Sequence, residues 1–406
     1  GSFGTAAGGE LFGRALAAGD FDDDGCDDVA IGAPGALVGG AVIIAYGGSG
    51  GIDPSVSEAW DQDSPAVNDV AEAADFFGGT LTAADFDGDG YDDIAIGVPS
   101  EDVGTIESAG LVNVLYGSAS GITSDADQVF HLNSTLIDGT ADEFENFAYS
   151  LESGDFDGDG FAELAVGTLG DAVDGVHNSG SVLILRGSVA GLSSNGEQLL
   201  TQKALGFPVG TNGLFSRSLA AGDFDGNDLD DLAIGSYLGN EGAFHVLYGT
   251  ASGLSLTGAQ VFTQSTPGVP GVSSSTDRFG MTLVAGNFDG GTQDDLAISA
   301  TGEVINGFDR AGTVTILYGH SSGLATQPVL PDLIHQNMTS DAEAEATDLF
   351  GTNLASGDFN SDGFHELLVA GQHENLDGLN DAGAVHVFFG SGAGPQVNSQ
   401  SQFLRQ

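Results

Sequence analysis

Three features of this sequence predict an all-β fold, a six-bladed β-propeller of four-stranded antiparallel blades. A nine-residue acidic loop recurs six times, starting at Asp20, Asp85, Asp155, Asp223, Asn287 and Asp358. Its spacing is nearly even, at 65, 70, 68, 64 and 71 residues. Each copy sits inside the same order of short apolar runs and Gly-rich turns. Four short antiparallel strands in such a length make one blade with generous loops. One four-stranded sheet cannot bury both faces alone, so equal spacing without linkers argues for packed blades rather than separate beads. Solenoid stacking is the lesser alternative.

Within a repeat, an aromatic-small pair and an apolar run come first, as in Leu11 to Asp20. The acidic loop follows, then a β-type run such as Asp93 to Pro99. A variable loop leads to a second β run ending Tyr-Gly, as in Leu111 to Gly117. A Gly/Ser-rich turn precedes a short final run: 58–61, 128–131, 198–201, 260–263, 332–335 and 402–405. The blades are expected at approximately 8–63, 73–133, 143–203, 211–265, 275–337 and 346–406, in a single domain spanning 1–406. Residues 1–10 are too short and Gly-rich for a strand of the last blade, so the C-terminal run 400–406 is expected to supply it.

Composition narrows the partners. There are 59 acidic residues against 7 basic ones, a net charge of −52. Nucleic acid and anionic membrane surfaces both need a basic face, which excludes them. No apolar run is long enough to span a bilayer. One Cys rules out an intramolecular disulfide, and a calcium-rich exterior can replace that staple. No leader is visible. The expectation is an extracellular, secreted or cell-surface chain that is part of a larger protein.

The loop Asp85 to Asp93 carries the chemistry. Numbering it 1 to 9, carboxylates stand at positions 1, 3, 5 and 9, and Gly90 at position 6. Close-spaced carboxylates repel each other when empty, and a hard divalent cation turns that repulsion into binding. Gly90 permits the sharp turn. The Tyr91 carbonyl at position 7 adds an oxygen, and Asp93 closes the site. Oxygen donors in this number suit calcium, in a shorter loop than the EF-hand, whose last ligand is at position 12.

The combination Phe12-Gly13, the loop Asp20 to Asp28 and Gly32-Ala33-Pro34 resembles the FG-GAP repeat of integrin α-subunit propellers. The third element decays along the chain, to Ala370-Gly371-Gln372 in the last copy. Integrin propellers have seven blades and animal ones carry disulfides. Six repeats and one Cys therefore fit a bacterial or other non-animal member better.

The resemblance implies a calcium ion at each loop. Copy one then offers Asp20, Asp22, Asp24, the carbonyl of Cys26, and Asp28. Copy two offers Asp85, Asp87, Asp89, Tyr91 and Asp93; copy three Asp155, Asp157, Asp159, Phe161 and Glu163. Copy four offers Asp223, Asp225, Asn227, Leu229 and Asp231, with Asp228 in place of the glycine. Copy six offers Asp358, Asn360, Asp362, Phe364 and Glu366. Copy five has Asn287, Asp289, Gln293 and Asp295, but Gly291 at position 5 brings no side-chain oxygen, so this site is expected to be weak or water-completed. Twenty of the 59 acidic residues are in these sets, and six calcium ions would reduce the net charge to about −40. The Cys26 thiol is a bystander, since no other soft ligand is near.

The loops between strands 2 and 3 and between blades are the longest, for example Glu101–Gly110 and Gly268–Arg278, and they lie at the end opposite the calcium loops. Recognition usually resides in such loops. The family resemblance implies that a protein or glycan ligand binds there. Six aromatics stand eight residues before each loop, Phe12, Phe77, Phe147, Phe215, Phe279 and Phe350. They are either blade core or a ring at the channel mouth. Arg14 and Arg217 share a register two residues later, as ion-pair partners or as anchors for an anionic group. The eight His are scattered, and no Gly-x-Ser-x-Gly elbow, zinc motif or phosphate loop is present. The expected function is therefore a non-catalytic adhesion or recognition module. A lectin-like propeller is one alternative. The other is a polysaccharide lyase or hydrolase using His177 or His373 with Asp171 or Asp377.

Overall fold

The computed structural model describes residues 9–135, 137, 139–210, 212–237, 241–326, 331–338, 343–376, 379–397 and 401–405. Six four-stranded antiparallel sheets follow one another, each a meander in chain order. Blade one is β1 (Leu16–Gly19), β2 (Asp28–Ala33), β3 (Ala41–Ala45) and β4 (Ser57–Trp60). Blade two is β5 (Thr80–Ala84), β6 (Asp93–Val98), β7 (Leu111–Tyr116) and β8 (Thr123–Phe130). Blade three is β9 (Phe147–Gly154), β10 (Glu163–Thr168), β11 (Ser181–Arg186) and β12 (Ser193–Leu200). Blade four is β13 (Leu219–Gly222), β14 (Asp231–Ser236), β15 (Ala243–Tyr248) and β16 (Ser255–Phe262). Blade five is β17 (Phe279–Gly286), β18 (Asp295–Ala300), β19 (Thr313–Leu317) and β20 (Asp332–Ile334). Blade six is β21 (Phe350–Gly357), β22 (Glu366–Gly371), β23 (Ala384–Phe388) and β24 (Gln402–Leu404). These are the blades of a six-bladed β-propeller. Among the described residues no helix is long and apolar enough to cross a membrane.

The chain forms two compact units, Gly1–Asp155 with Asp159–Ser216, and Phe156–Gly158 with Arg217–Gln406. Each holds three blades. The C-terminal strand β24 pairs with β23 through Val385↔Leu404, so the end of the chain supplies the last strand of blade six. Residues 1–8 lie outside the described residues.

Burial explains the strand sequences. In β6, β10, β14 and β18 all six residues are buried, because another blade or the protein interior covers both faces. Such strands read as continuous apolar runs rather than an alternation. The outer strands are polar and partly exposed, as in β8 and β16. Each core cluster joins the face of one blade to that of the next. Phe86, Val112 and Val114 of blade two pack with Phe147, Leu164 and Val166 of blade three. In the second unit Phe244 and Val246 pack with Phe279, Leu296 and Ile298.

The registered aromatics belong to this core. Phe77, Phe147, Phe215, Phe279 and Phe350 are at most 1 % exposed, which excludes them from an open channel mouth. Phe12 alone of the six is half exposed. The backbone N–H of each buried Phe donates to the preceding blade: Phe77 to Gly39, Phe147 to Ala109, Phe279 to Glu241 and Phe350 to Ala311. The small residue after it has a left-handed backbone, φ 79° at Gly78 and 84° at Gly280. That conformation favours glycine, yet copies three and four have Ala148 and Ser216 there, with φ 62° and 92°.

The Tyr ending strand 3 is an inter-blade staple. The Tyr46 hydroxyl accepts the Ile122 N–H of blade two at 2.8 Å and donates to Glu58 of its own blade. Tyr116 accepts from Leu192, and Tyr248 from Leu324, in the same way. Gly121 lies under this contact with φ +90°, and a Cβ there would sit 1.9 Å from the Tyr46 hydroxyl. Gly121→Ala is therefore expected to lower unfolding stability by roughly 2–4 kcal/mol, and Tyr46→Phe by roughly 1–2. Denaturant unfolding should find Tyr46→Phe relieving only part of the Gly121→Ala penalty, because the Cβ would still lie 2.4 Å from the ring Cζ and the positive φ would remain.

Candidate metal centres

The acidic loops are the turns between the first two strands of each blade. In copies one to four, three carboxylates converge so that one oxygen from each lies within 4.8 Å of the others: Asp20, Asp22 and Asp28; Asp85, Asp87 and Asp93; Asp155, Asp157 and Glu163; Asp223, Asp225 and Asp231. These are positions 1, 3 and 9. The position-5 side chains, Asp24, Asp89, Asp159 and Asn227, each accept the N–H of position 7, so the loop closes on itself. Position 1 accepts the N–H groups at the turn. Asp85 takes those of Gly88 and Asp89 on Oδ1 and that of Gly90 on Oδ2.

Positive φ marks the loop path. Gly25, Gly90, Gly160 and Gly363 at position 6 have φ between 87° and 95°. Asp228 takes the same place in copy four at 64°, a region that Asp tolerates. Copy five departs. The Asn287 side-chain amide donates to the Gly291 carbonyl at 3.0 Å, and its Oδ1 is buried without a hydrogen-bond partner. In copy six the Asn360 amide donates to Glu366 at 3.0 Å.

Position 9 has a second job. Asp93 is 1 % exposed; its Oδ2 accepts Phe86 N–H and its Oδ1 accepts Gly117 N–H, both at 2.9 Å. Asp231 does the same with Phe224 and Gly249, and Asp295 with Phe288 and Gly319. One carboxylate thus ties the loop to the end of strand 3. The Gly of the Tyr-Gly pair is required there, since a Cβ on Gly117 would lie 2.4 Å from the Asp92 carbonyl. Burial pushes the Asp93 and Asp231 carboxyls up to about 8 and Asp295 up to about 7, each partly offset by its backbone hydrogen bonds.

The donor set fits a hard cation. Every converging group is an oxygen donor, and the deepest are held out of water with like charges beside them. Asp225 Oδ1 in copy four is buried with no hydrogen-bond partner, an oxygen that a cation would satisfy. Burial raises the Asp225 carboxyl, with Asp223 adding to the effect.

Family comparison agrees with the repeat frame. Residues 12–50, 77–115, 147–185, 215–247 and 350–388 match the FG-GAP repeat. These are FG-GAP repeats. Repeat five is not among the matched segments, and its loop is the one with the altered position-1 contacts. Integrin alpha-PS2 of Drosophila melanogaster is 30% identical over 230 residues, 55% of this chain and 15% of the relative. Integrin alpha-5 of Xenopus laevis is 30% identical over 241 residues, 56% of this chain and 20% of the relative. A phosphatidylinositol-glycan-specific phospholipase D of Rattus norvegicus is 32% identical over 159 residues, 38% of this chain and 18% of the relative. The matched region is thus a fifth or less of these relatives' length. Among solved structures, the Dos1 propeller aligns at 12% identity and a TM-score of 0.43, covering 89% of this chain and 63% of that one.

The FG-GAP loops also brace neighbouring blades, which the sequence reading missed. In the first unit Asp92 N–H donates to the Asp20 carbonyl at 3.1 Å, and Asp92 Oδ2 accepts Asp20 N–H at 2.9 Å. Asp294 and Asp223 repeat the exchange in the second unit. Position-7 side chains pack on the preceding loop: a Cβ on Gly88 would strike the Phe161 ring, and one on Gly290 the Phe364 ring. The acidic pairs at positions 8 and 9, such as Asp92-Asp93, were the available signal.

The other singled-out residues are dispersed. Arg14 is exposed and Arg217 half-buried. His177 is exposed, and Asp171 uses its carbonyl to accept the Ser179 and Gly180 N–H groups. His373 Nδ1 lies 3.9 Å from Asp381; Asp377 lies outside the described residues. Cys26 N–H donates to Asp24, and its thiol makes no part of the acidic cluster.

Asp93→Ala is expected to destabilise even the metal-free chain by roughly 2–5 kcal/mol, since two buried N–H groups lose their acceptor. Asp87→Asn should spare metal-free stability and weaken cation binding; denaturant melts with and without calcium separate the two. The folded carboxyls of Asp93, Asp231 and Asp295 titrate above the ordinary Asp value of about 3.9. Their contribution to metal-free stability is therefore full below about pH 4 and is lost as pH rises through about 7 to 8. Thermal melts of the chelated chain should fall across that window, and saturating calcium should reduce or invert the fall.

Proposed function

We propose that this chain is a calcium-stabilised, non-catalytic recognition propeller of an extracellular or cell-surface protein, acting in adhesion. The observation that carries this reading is the carboxylate triad of the FG-GAP loop, built into the hydrogen bonds that hold strand 3 and the next blade. An ion there would neutralise the buried charge and lock turn, strand end and blade junction together. Calcium suits the sites because their donors are oxygen atoms on a flexible turn, which magnesium's tighter octahedral geometry fits poorly.

The ligand, a protein or a glycan, is assigned to the long loops at the opposite end of the blades, such as 101–110 and 268–278. A rigid scaffold carrying irregular loops favours recognition there. The integrin relatives support an adhesive role, and the high acidity favours cationic or neutral ligands over nucleic acid.

Exhaustive chelation is expected to lower the Tm, and calcium to restore it. Each site should contribute about 2.7 kcal/mol when free calcium is a hundredfold above its Kd. An unchanged Tm after chelation would refute the calcium reading. Binding to immobilised matrix proteins or glycans should occur without turnover. Unsaturated products released from uronic-acid polymers would overturn the non-catalytic reading.

A further inference from the structure

A second acidic cluster stands in the first unit, apart from all six loops. Glu72 and Asp75 lie between β4 and β5, and Glu101 follows β6, at the opposite end of the blades from the FG-GAP turns. One carboxylate oxygen from each of the three lies within 4.8 Å of the other two. Asp75 and Glu101 are 3 % and 4 % exposed. Glu72 is exposed and borders a cleft of about 390 Å³ that Asn68, Asp69, Glu101 and Asp102 also line. Among the described residues, no basic side chain forms an ion pair with any of the three. Like charges at this burial need a counter-charge or a shared proton.

An independent observation points into the same space. Gln62 is 1 % exposed. Its amide nitrogen donates to Asp69 Oδ2 at 2.9 Å and to Glu101 Oε2 at 2.7 Å. Its carbonyl Oε1 is buried with no hydrogen-bond partner. A Cβ on Gly39 would lie 2.3 Å from that oxygen and 3.2 Å from Asp75 Oδ2, so the two oxygens face one small volume. Turning the amide over would set its oxygen against the Asp69 and Glu101 carboxylates, which when ionised accept but do not donate. The amide is therefore held with its oxygen toward Asp75. Asp75 in turn accepts Glu72 N–H at 2.6 Å, which fixes the turn that brings Glu72 in.

We propose that Glu72, Asp75, Glu101 and the Gln62 carbonyl bind a hard divalent cation of the calcium class, at the blade end opposite the FG-GAP loops. Four protein oxygens on one side leave further coordination positions open to water from the cleft. The inference stands independently of the adhesive role.

The second unit contains the same frame at two places, and only one of them lacks the third carboxylate. Gln264 donates to Glu303 at 2.6 Å and has an unpartnered buried Oε1, but Ser274 stands where Glu72 would be. Near Asp348 and Glu374, Glu345 holds that place, and it accepts the Asn375 amide. Among the described residues the triad forms at Glu72, Asp75 and Glu101 alone of the three places.

Trp60, the only tryptophan, ends β4 two residues before Gln62 and makes a selective reporter. The test titrates terbium into the intact chain with excitation through tryptophan, and counts bound calcium by native mass spectrometry. The wild type should show tryptophan-sensitised terbium emission and hold one more calcium ion than Glu101→Gln. Glu72→Gln, an exposed position whose substitution spares the core, should weaken the terbium signal about tenfold or more. Asp87→Asn should lose an ion from its FG-GAP loop yet keep the tryptophan-sensitised emission. Equal ion counts and equal emission in wild type, Glu72→Gln and Glu101→Gln would overturn the proposal. So would a Glu101→Gln variant that is more stable than wild type with an unchanged ion count, since a proton shared by Asp75 and Glu101 would then fill the place. If Glu101→Gln does not fold, Glu72→Gln decides alone, and unchanged emission refutes the site.

Discussion

A buried carboxylate at the ninth position of each intact loop is the contact on which the blades depend. In copies one, two and four it accepts the N–H of the Phe at position 2 and the N–H of the Gly after strand 3, as Asp93 does with Phe86 and Gly117. It is also one of the three groups that converge in the cation cluster. Strand pairing, turn shape and metal affinity are thereby joined in one side chain. Removing water from this carboxylate is costly, and two backbone N–H groups offset only part of the cost. An ion at the triad would supply the remainder.

The same loops carry load between blades. The carbonyls of positions 1 and 2 accept N–H groups from the following blade, as Asp20 does from Asp92 and Phe21 from Ser118. The Tyr46, Tyr116 and Tyr248 hydroxyls make a parallel set of staples. Blade contacts therefore include directional hydrogen bonds beside the apolar interfaces of Phe86 with Phe147 or Phe244 with Phe279. A hydrophobic interface alone tolerates sliding, whereas a hydroxyl and a carboxylate fix register. A cation held in one loop would then be felt at the neighbouring blade as well as its own.

The two ends of a blade make different use of acid. At the FG-GAP turns the carboxylates are close in sequence, and backbone N–H groups from the same loop hold them. At the other end, Gln62, Asp75 and Glu101 come from two blades, and the buried Gln62 amide holds Glu101 and the neighbouring Asp69 in place. The first arrangement repeats along the chain because each blade contains it whole. The second draws on three separate segments, and among the described residues its carboxylates converge at one place; where Glu345, Asp348 and Glu374 supply the same residue types, Glu345 accepts the Asn375 amide instead.

What the sequence determined by itself was everything local and periodic. Repeat length, strand order and the acidic loops follow from spacing, because a blade is a meander of neighbours and its turn folds on its own residues. The glycines at position 6 and the odd fifth copy were legible for the same reason: Gly90 needs its φ of 95°, and Gly291 brings no side-chain oxygen to position 5. Tertiary structure alone decided what lies between repeats. The aromatic register was ambiguous until burial of Phe77 and its fellows placed them in the core. The blade-to-blade role of Asp92, the Tyr46 staple to Ile122 76 residues away, and the meeting of Gln62 with Glu101 39 residues away leave no periodic trace that names the partner. Contacts across blades depend on how sheets stack, and stacking is set by the summed shape of many side chains rather than by any one short stretch.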